Sequence, residues 1–167
     1  MRFRIACISL AAALSVTALG VSTAHAVGPL SGTKVRNWNS GFVLGVAGNA
    51  TTGHAQITYQ TDTDDLAQKW AIDPVTSDTF MLRNLNSDMC ITALNNSATG
   101  IVQRPCDPRW DEQVWKMIDS GKASRWQLQN QALSQCLNPA STGANANARV
   151  IACSATNDWN THSFDVR

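Results

Sequence analysis

The chain has 167 residues, 44% of them apolar and 15% charged, with a formal net charge of +1. That length accommodates one domain with a real core and little room for a second. The near-neutral balance holds no basic stripe, which argues against nucleic acid or anionic membranes as partners.

The N-terminus reads as a leader. Arg2 and Arg4 precede an apolar stretch from Ile5 to about Val21, and Ala24-His25-Ala26 forms a small-x-small cleavage site. Ser9, Ser15, Thr17 and Gly20 interrupt the stretch, which is short for a membrane span of ~20 strongly apolar residues. Residues 1–26 are therefore expected to be a secretory signal peptide. Residues 27–167 are expected to be the mature domain, secreted to the extracellular space or a periplasm. This part carries 11 basic and 12 acidic residues and no later segment apolar enough for a membrane span.

Beyond the leader, three segments repeat, at about 33–73, 79–119 and 124–167. They open on Lys34-Val35-Arg36-Asn37, Met81-Leu82-Arg83-Asn84 and Gln127-Leu128-Gln129-Asn130, with the Asn residues 47 and then 46 positions apart. They close on Gln68-Lys69-Trp70, Gln113-Val114-Trp115 and His162-Ser163-Phe164, 45 and then 49 apart. Within each unit short alternating apolar–polar runs are separated by Asn, Gly, Ser and Asp clusters, the mark of short strands and turns. No segment after the leader keeps a helical period. Propeller blades are about this long but usually number four or more, and a sandwich needs no threefold repeat. The pattern predicts an all-β, β-trefoil fold of three pseudo-symmetric repeats.

Four cysteines remain once Cys7 leaves with the signal: Cys90, Cys106, Cys136 and Cys153. An even count in an exported chain reads as disulfides. Neither a CxxC nor a ligand-spaced histidine points to a metal site. Cys90–Cys106 spans 16 positions and Cys136–Cys153 spans 17, at matching places in their units. The repeat therefore pairs Cys90 with Cys106 and Cys136 with Cys153. In the first unit Val43 and Tyr59, also 16 apart, are expected to fill the same space.

The two Gln-x-Trp ends, the Asn-bearing first strands and the Cys hairpins resemble ricin-type lectins, over roughly Thr33 to Arg167. In that family Gln-x-Trp is first structural, the Trp filling the core and the Gln satisfying buried backbone. The resemblance thus implies structural roles for Gln68, Trp70, Gln113, Trp115, His162 and Phe164. It also implies a galactose site in each unit. An Asp stands two residues after the first Cys, an aromatic two before the second, and an Asn directly before the glutamine. At the Asp position this chain has Gly45, Thr92 and Asn138; at the aromatic position Ile57, Arg104 and Ile151; at the Asn position Ala67, Glu112 and Thr161. The resemblance therefore predicts a galactose site that is degenerate or remodelled, with Asn138 the mildest replacement because an amide still bonds hydroxyls.

Trp126 aligns with Phe80 and is expected in the core. Trp110 and Trp159 each stand three residues before Gln113 and His162, where they either pack over the barrel rim or anchor a ligand. Arg104, Asp107, Arg109, Trp110, Asp111 and Glu112 crowd into a charged-aromatic cluster, read either as a binding site or as a solvated loop. Asp62, Asp64 and Asp65 are read as a solvated turn, since no EF-type pattern surrounds them. The expected function is a carbohydrate-binding module for glycans or glycoconjugates, with no cofactor. The alternative is a trefoil that recognises a separately encoded protein, similar to the lectin-like subunits of cytolethal distending toxins or to a hydrolase inhibitor. No local motif supports catalysis.

Overall fold

In a computed structural model, residues 30–94 and 100–165 are described. The expected signal peptide lies outside them. Among the described residues twelve strands form in chain order: β1 (Leu30–Asn37), β2 (Val43–Val46), β3 (Ile57–Gln60), β4 (Trp70–Pro74), β5 (Thr79–Asn84), β6 (Met89–Ala93), β7 (Ile101–Pro105), β8 (Trp115–Asp119), β9 (Trp126–Asn130), β10 (Cys136–Pro139), β11 (Ala146–Ile151) and β12 (Thr161–Asp165). Antiparallel pairings run β1–β4–β5–β8–β9–β12 and back to β1, closing a six-stranded barrel. Hairpins β2–β3, β6–β7 and β10–β11 attach to β1, β5 and β9. This is the β-trefoil expected from the repeat, and barrel closure leaves no open edge among the six strands.

The repeated Asn has a physical task. Asn37, Asn84 and Asn130 are fully buried, and each reaches across to a neighbouring unit. Asn84 Nδ2 donates to the carbonyls of Ala67 (2.9 Å) and Lys69 (3.4 Å). Asn130 Nδ2 donates to those of Glu112 (3.0 Å) and Val114 (3.3 Å). Their Oδ1 atoms accept from backbone N–H groups of the following turn, Asn86 and Leu133. A short amide with donor and acceptor on one planar group can pin strand and turn at once. This explains why the strand ends in Asn and not in an apolar residue.

That bond corrects the third repeat. Asn37 Nδ2 donates to the carbonyls of Trp159 (2.8 Å) and Thr161 (3.4 Å), so Asn160 stands where Gln68 and Gln113 stand. The strand register agrees: Asn84 faces Trp70, Asn130 faces Trp115, and Asn37 faces His162. The third closing triplet is therefore Asn160-Thr161-His162, not His162-Ser163-Phe164. His162 occupies the place of the tryptophans, and Phe164 packs partly buried at the edge of the core.

Trp70, Trp115 and His162 are fully buried, with Leu44, Ile91, Leu128 and Leu137 around them. The indole N–H groups are satisfied by the carbonyls of Leu44 (3.0 Å) and Ile91 (3.4 Å). His162 is smaller than Trp, and the buried Tyr59 fills the difference, its hydroxyl 2.7 Å from His162 Nε2. Trp126 departs from expectation. It is 37% exposed while Phe80, its equivalent, is 5% exposed.

Both disulfides are as expected, Cys90–Cys106 and Cys136–Cys153, each with a Cα separation of 4.9 Å. The first unit differs. Cys90 faces Arg104, but Val43 faces Gln60, so its hairpin is three residues longer. Asp62, not Tyr59, stands at the place of Cys106. A charge cluster replaces the staple: Asp62 pairs with Lys34 (2.6 Å) and Arg36 (2.8 Å), and Asp64 pairs with Lys34 (2.8 Å) and Lys69 (3.2 Å). Lys34, with Arg36 behind it, holds the Asp62 carboxyl well below the usual carboxylate range. Of the aspartates expected as a solvated turn, Asp62 and Asp64 thus hold β1 to the end of the first hairpin, while Asp65 accepts from Thr63 and Asn49.

Candidate functional site

With the registers fixed, the three equivalent rim positions can be compared. Each is built from a first-hairpin residue, one on the returning strand, and the end of a one-turn 3-10 helix at Leu66–Gln68, Asp111–Gln113 or Asp158–Asn160.

In the first unit these residues are Gly45, Gln60 and Ala67; Gln60 takes the position expected for Ile57. Gln60 Nε2 donates to Val46 O (3.1 Å) and Thr58 Oγ1 (2.9 Å), and its Oε1 accepts from Gln68 Nε2 (3.0 Å). A Cβ on Gly45 would stand 2.7 Å from that Oε1. The amide plugs the position with its own hydrogen bonds.

The third unit has Asn138, Ile151 and Trp159, the last in the position expected for Thr161. Asn138 is buried and donates to Asn160 Oδ1 (2.8 Å), whose own amide donates to Ala152 O (3.1 Å). Trp159 is half-buried. It aligns with Glu112, so its expected equivalence to Trp110 does not hold.

Among the described residues the second unit is open. Thr92, Leu94, Arg104, Trp110 and Glu112 line a depression of about 260 Å³. Thr92 forms its floor: the hydroxyl donates to Cys90 O (3.2 Å) and accepts from Gln113 Nε2 (3.1 Å). Gln113 also donates to Pro105 O and accepts from Asp107 N, so the structural glutamine sets the site's shape. Trp110, 43% exposed, forms a wall. Arg104 Nε is buried without a hydrogen-bond partner. Among the described residues neither Arg104 nor Glu112 enters an ion pair.

The structure thus brings together four of the expected site residues, Thr92, Arg104, Trp110 and Glu112. It sets Asn138 and Trp159 apart in the third unit. Asp111 turns away and accepts from Gln131 (3.0 Å), while Asp107 and Arg109 pair with each other (2.6 Å). Sequence reasoning missed Leu94 as a wall and Gln60 as the plug. Gln60 carries no signal in the sequence, because only the strand register shows Asp62 to stand where the second Cys stands.

A family model described as a ricin-type beta-trefoil lectin domain-like family matches residues 24–102 and again 74–153. The chain belongs to this ricin-type family. Its fold is also that of solved structures below 25% identity. A designed threefold-symmetric protein, ThreeFoil, superposes at TM-score 0.73 with 20% identity, covering 79% of this chain and 96% of that one. The exo-β-1,3-galactanase 1,3Gal43A of Clostridium thermocellum gives 0.74 and 20%, covering 82% of this chain and 30% of the galactanase. The C-half of an earthworm R-type lectin, solved with GalNAc, gives 0.65 and 16%, covering 82% and 99%. Comparison with curated proteins finds no match. As a ricin-type lectin-like domain, the chain has a rim position of the fold that, among the described residues, is open in one unit of three.

Proposed function

We propose that this ricin-type domain is a secreted carbohydrate-binding module whose working site is the rim position of the second unit. One observation carries the reading. The first unit plugs this position with Gln60 and the third spends Asn138 on Asn160, whereas the second leaves Arg104, Trp110 and Glu112 around an open depression. An exposed indole face suits the C–H face of a sugar ring, and unpaired charged groups suit its hydroxyls. The galactose determinants are replaced here, so the site is remodelled and not a copy of the family's. Asn138 and Trp159 serve the packing of the third unit in this reading. The protein acts by binding, without catalysis.

A glycan array probed with the oxidised protein tests this. Wild type is expected to bind a defined set of glycans, and Trp110→Ala to lose them while keeping its fold. Silence across the array from folded wild type would overturn the reading. Recognition of a separately encoded protein is favoured by Trp38 and Trp126, 46% and 37% exposed in the first and third units. It would show as partner capture that soluble glycans do not compete and that Trp126→Ala weakens.

A further inference from the structure

The residue at the place of the family's stacking aromatic is a cation, and its state indicates what the site takes. Among the described cationic side chains, Lys34, Arg36, Lys69, Arg83, Arg109, Lys116 and Lys122 pair with carboxylates, and Arg125 lies over the Trp38 ring at 3.7 Å. Arg149 is exposed on the outside of β11. Arg104 alone is half-buried with neither kind of partner, and its Nε is sealed from solvent. The terminal nitrogens are not sealed and make no hydrogen bond to the described residues, so a bound oxygen anion would engage them. The guanidinium fork matches the two oxygens of a carboxylate or a sulfate, and a single hydroxyl would fill only part of it.

Resting on the reading above, we propose that the second-unit site selects acidic saccharides, their carboxylate or sulfate held by Arg104. Three further features fit one ring with a single anionic group. Glu112 accepts from ring hydroxyls and repels a second negative charge on its side. Trp110 covers the apolar face of the ring. The volume of about 260 Å³ lies below the ~300–1,000 Å³ of pockets that enclose drug-sized ligands.

NMR titration of the oxidised full chain with galacturonic acid, galactose 6-sulfate and galactose tests the proposal, alongside Arg104→Gln and Arg104→Lys. An acidic sugar is expected to bind at least ~10-fold more tightly than galactose, and Arg104→Gln to abolish that margin. Arg104→Lys should keep part of it, as a point charge without the fork. The better of galacturonic acid and galactose 6-sulfate identifies the acid. Equal affinity for all three sugars would overturn the acidic preference and leave the carbohydrate reading standing. A margin that survives Arg104→Gln would overturn the assignment of the anion to Arg104 and likewise leave the carbohydrate reading standing. Silence for all three together with a silent glycan array would overturn both.

Discussion

Tyr59 and His162 meet in the middle of the molecule, hydroxyl to Nε2 at 2.7 Å with their rings stacked 5.9 Å apart, although they come from the first and last units. Together they fill the space that a tryptophan fills in each of the other two units. The cost of this substitution is a buried titratable group. Burial pushes the His162 pKa down to about 3 and raises that of Tyr59.

The fold should therefore weaken in mild acid. The unfolded chain takes up a proton on this histidine near pH 6.5, and the folded chain holds it off until about pH 3. In that window the unfolded state binds more protons, so stability is full above pH 6.5 and falls as the pH drops. Between pH 7 and 4.5 the loss from His162 is roughly 2–3 kcal/mol. Urea unfolding at the two pH values should show it, and His162→Gln should flatten the dependence; an unchanged slope would locate the proton elsewhere.

Lys34 and Asp62 should be strongly coupled. Lys34 has a side chain only 2% exposed, so Asp62→Ala strands a buried cation on Asp64 alone, at a cost of about 3 kcal/mol. With Lys34→Met already present, the same change should cost under ~1 kcal/mol. A double-mutant cycle measures this coupling, and additive costs would show the pair to be inert.

The two disulfides should contribute about equally, because their sequence separations are 16 and 17. Replacing either pair with alanines is expected to lower stability by ~3 kcal/mol. Calorimetry of the two double variants and of the reduced protein would reveal any inequality between the units.

Gly100 should be hard to replace. Its φ is +63°, and an added Cβ would stand 2.7 Å from the backbone oxygen of Ala148 on β11. Gly100→Ala should cost about 2–3 kcal/mol, while Gly53→Ala, with open space around it, should stay within ~0.5 kcal/mol. Equal melting temperatures for the two variants would contradict the close approach.

The sequence by itself determined the threefold all-β architecture and both disulfides. Each rests on residues that recur in register, such as Asn37, Asn84 and Asn130 or the paired cysteines, and such repetition is visible in one dimension. It also singled out Thr92, Arg104, Trp110 and Glu112, but could not separate them from Asp111, whose carboxylate turns to Gln131. Only the tertiary structure decided the register of the third unit. Asn160-Thr161-His162 and His162-Ser163-Phe164 are both degenerate triplets, and what distinguishes them is the pair of carbonyls that Asn37 reaches. The same holds for the first hairpin, where three added residues move the cysteine-equivalent place from Tyr59 to Asp62, and for Trp126, exposed where Phe80 is covered. The physical reason is common to all three. Spacing records which residue types recur, whereas pairing and burial depend on what stands opposite in three dimensions, such as Asn37 of the first unit beside Asn160 or Gln60 facing Val43 within one hairpin.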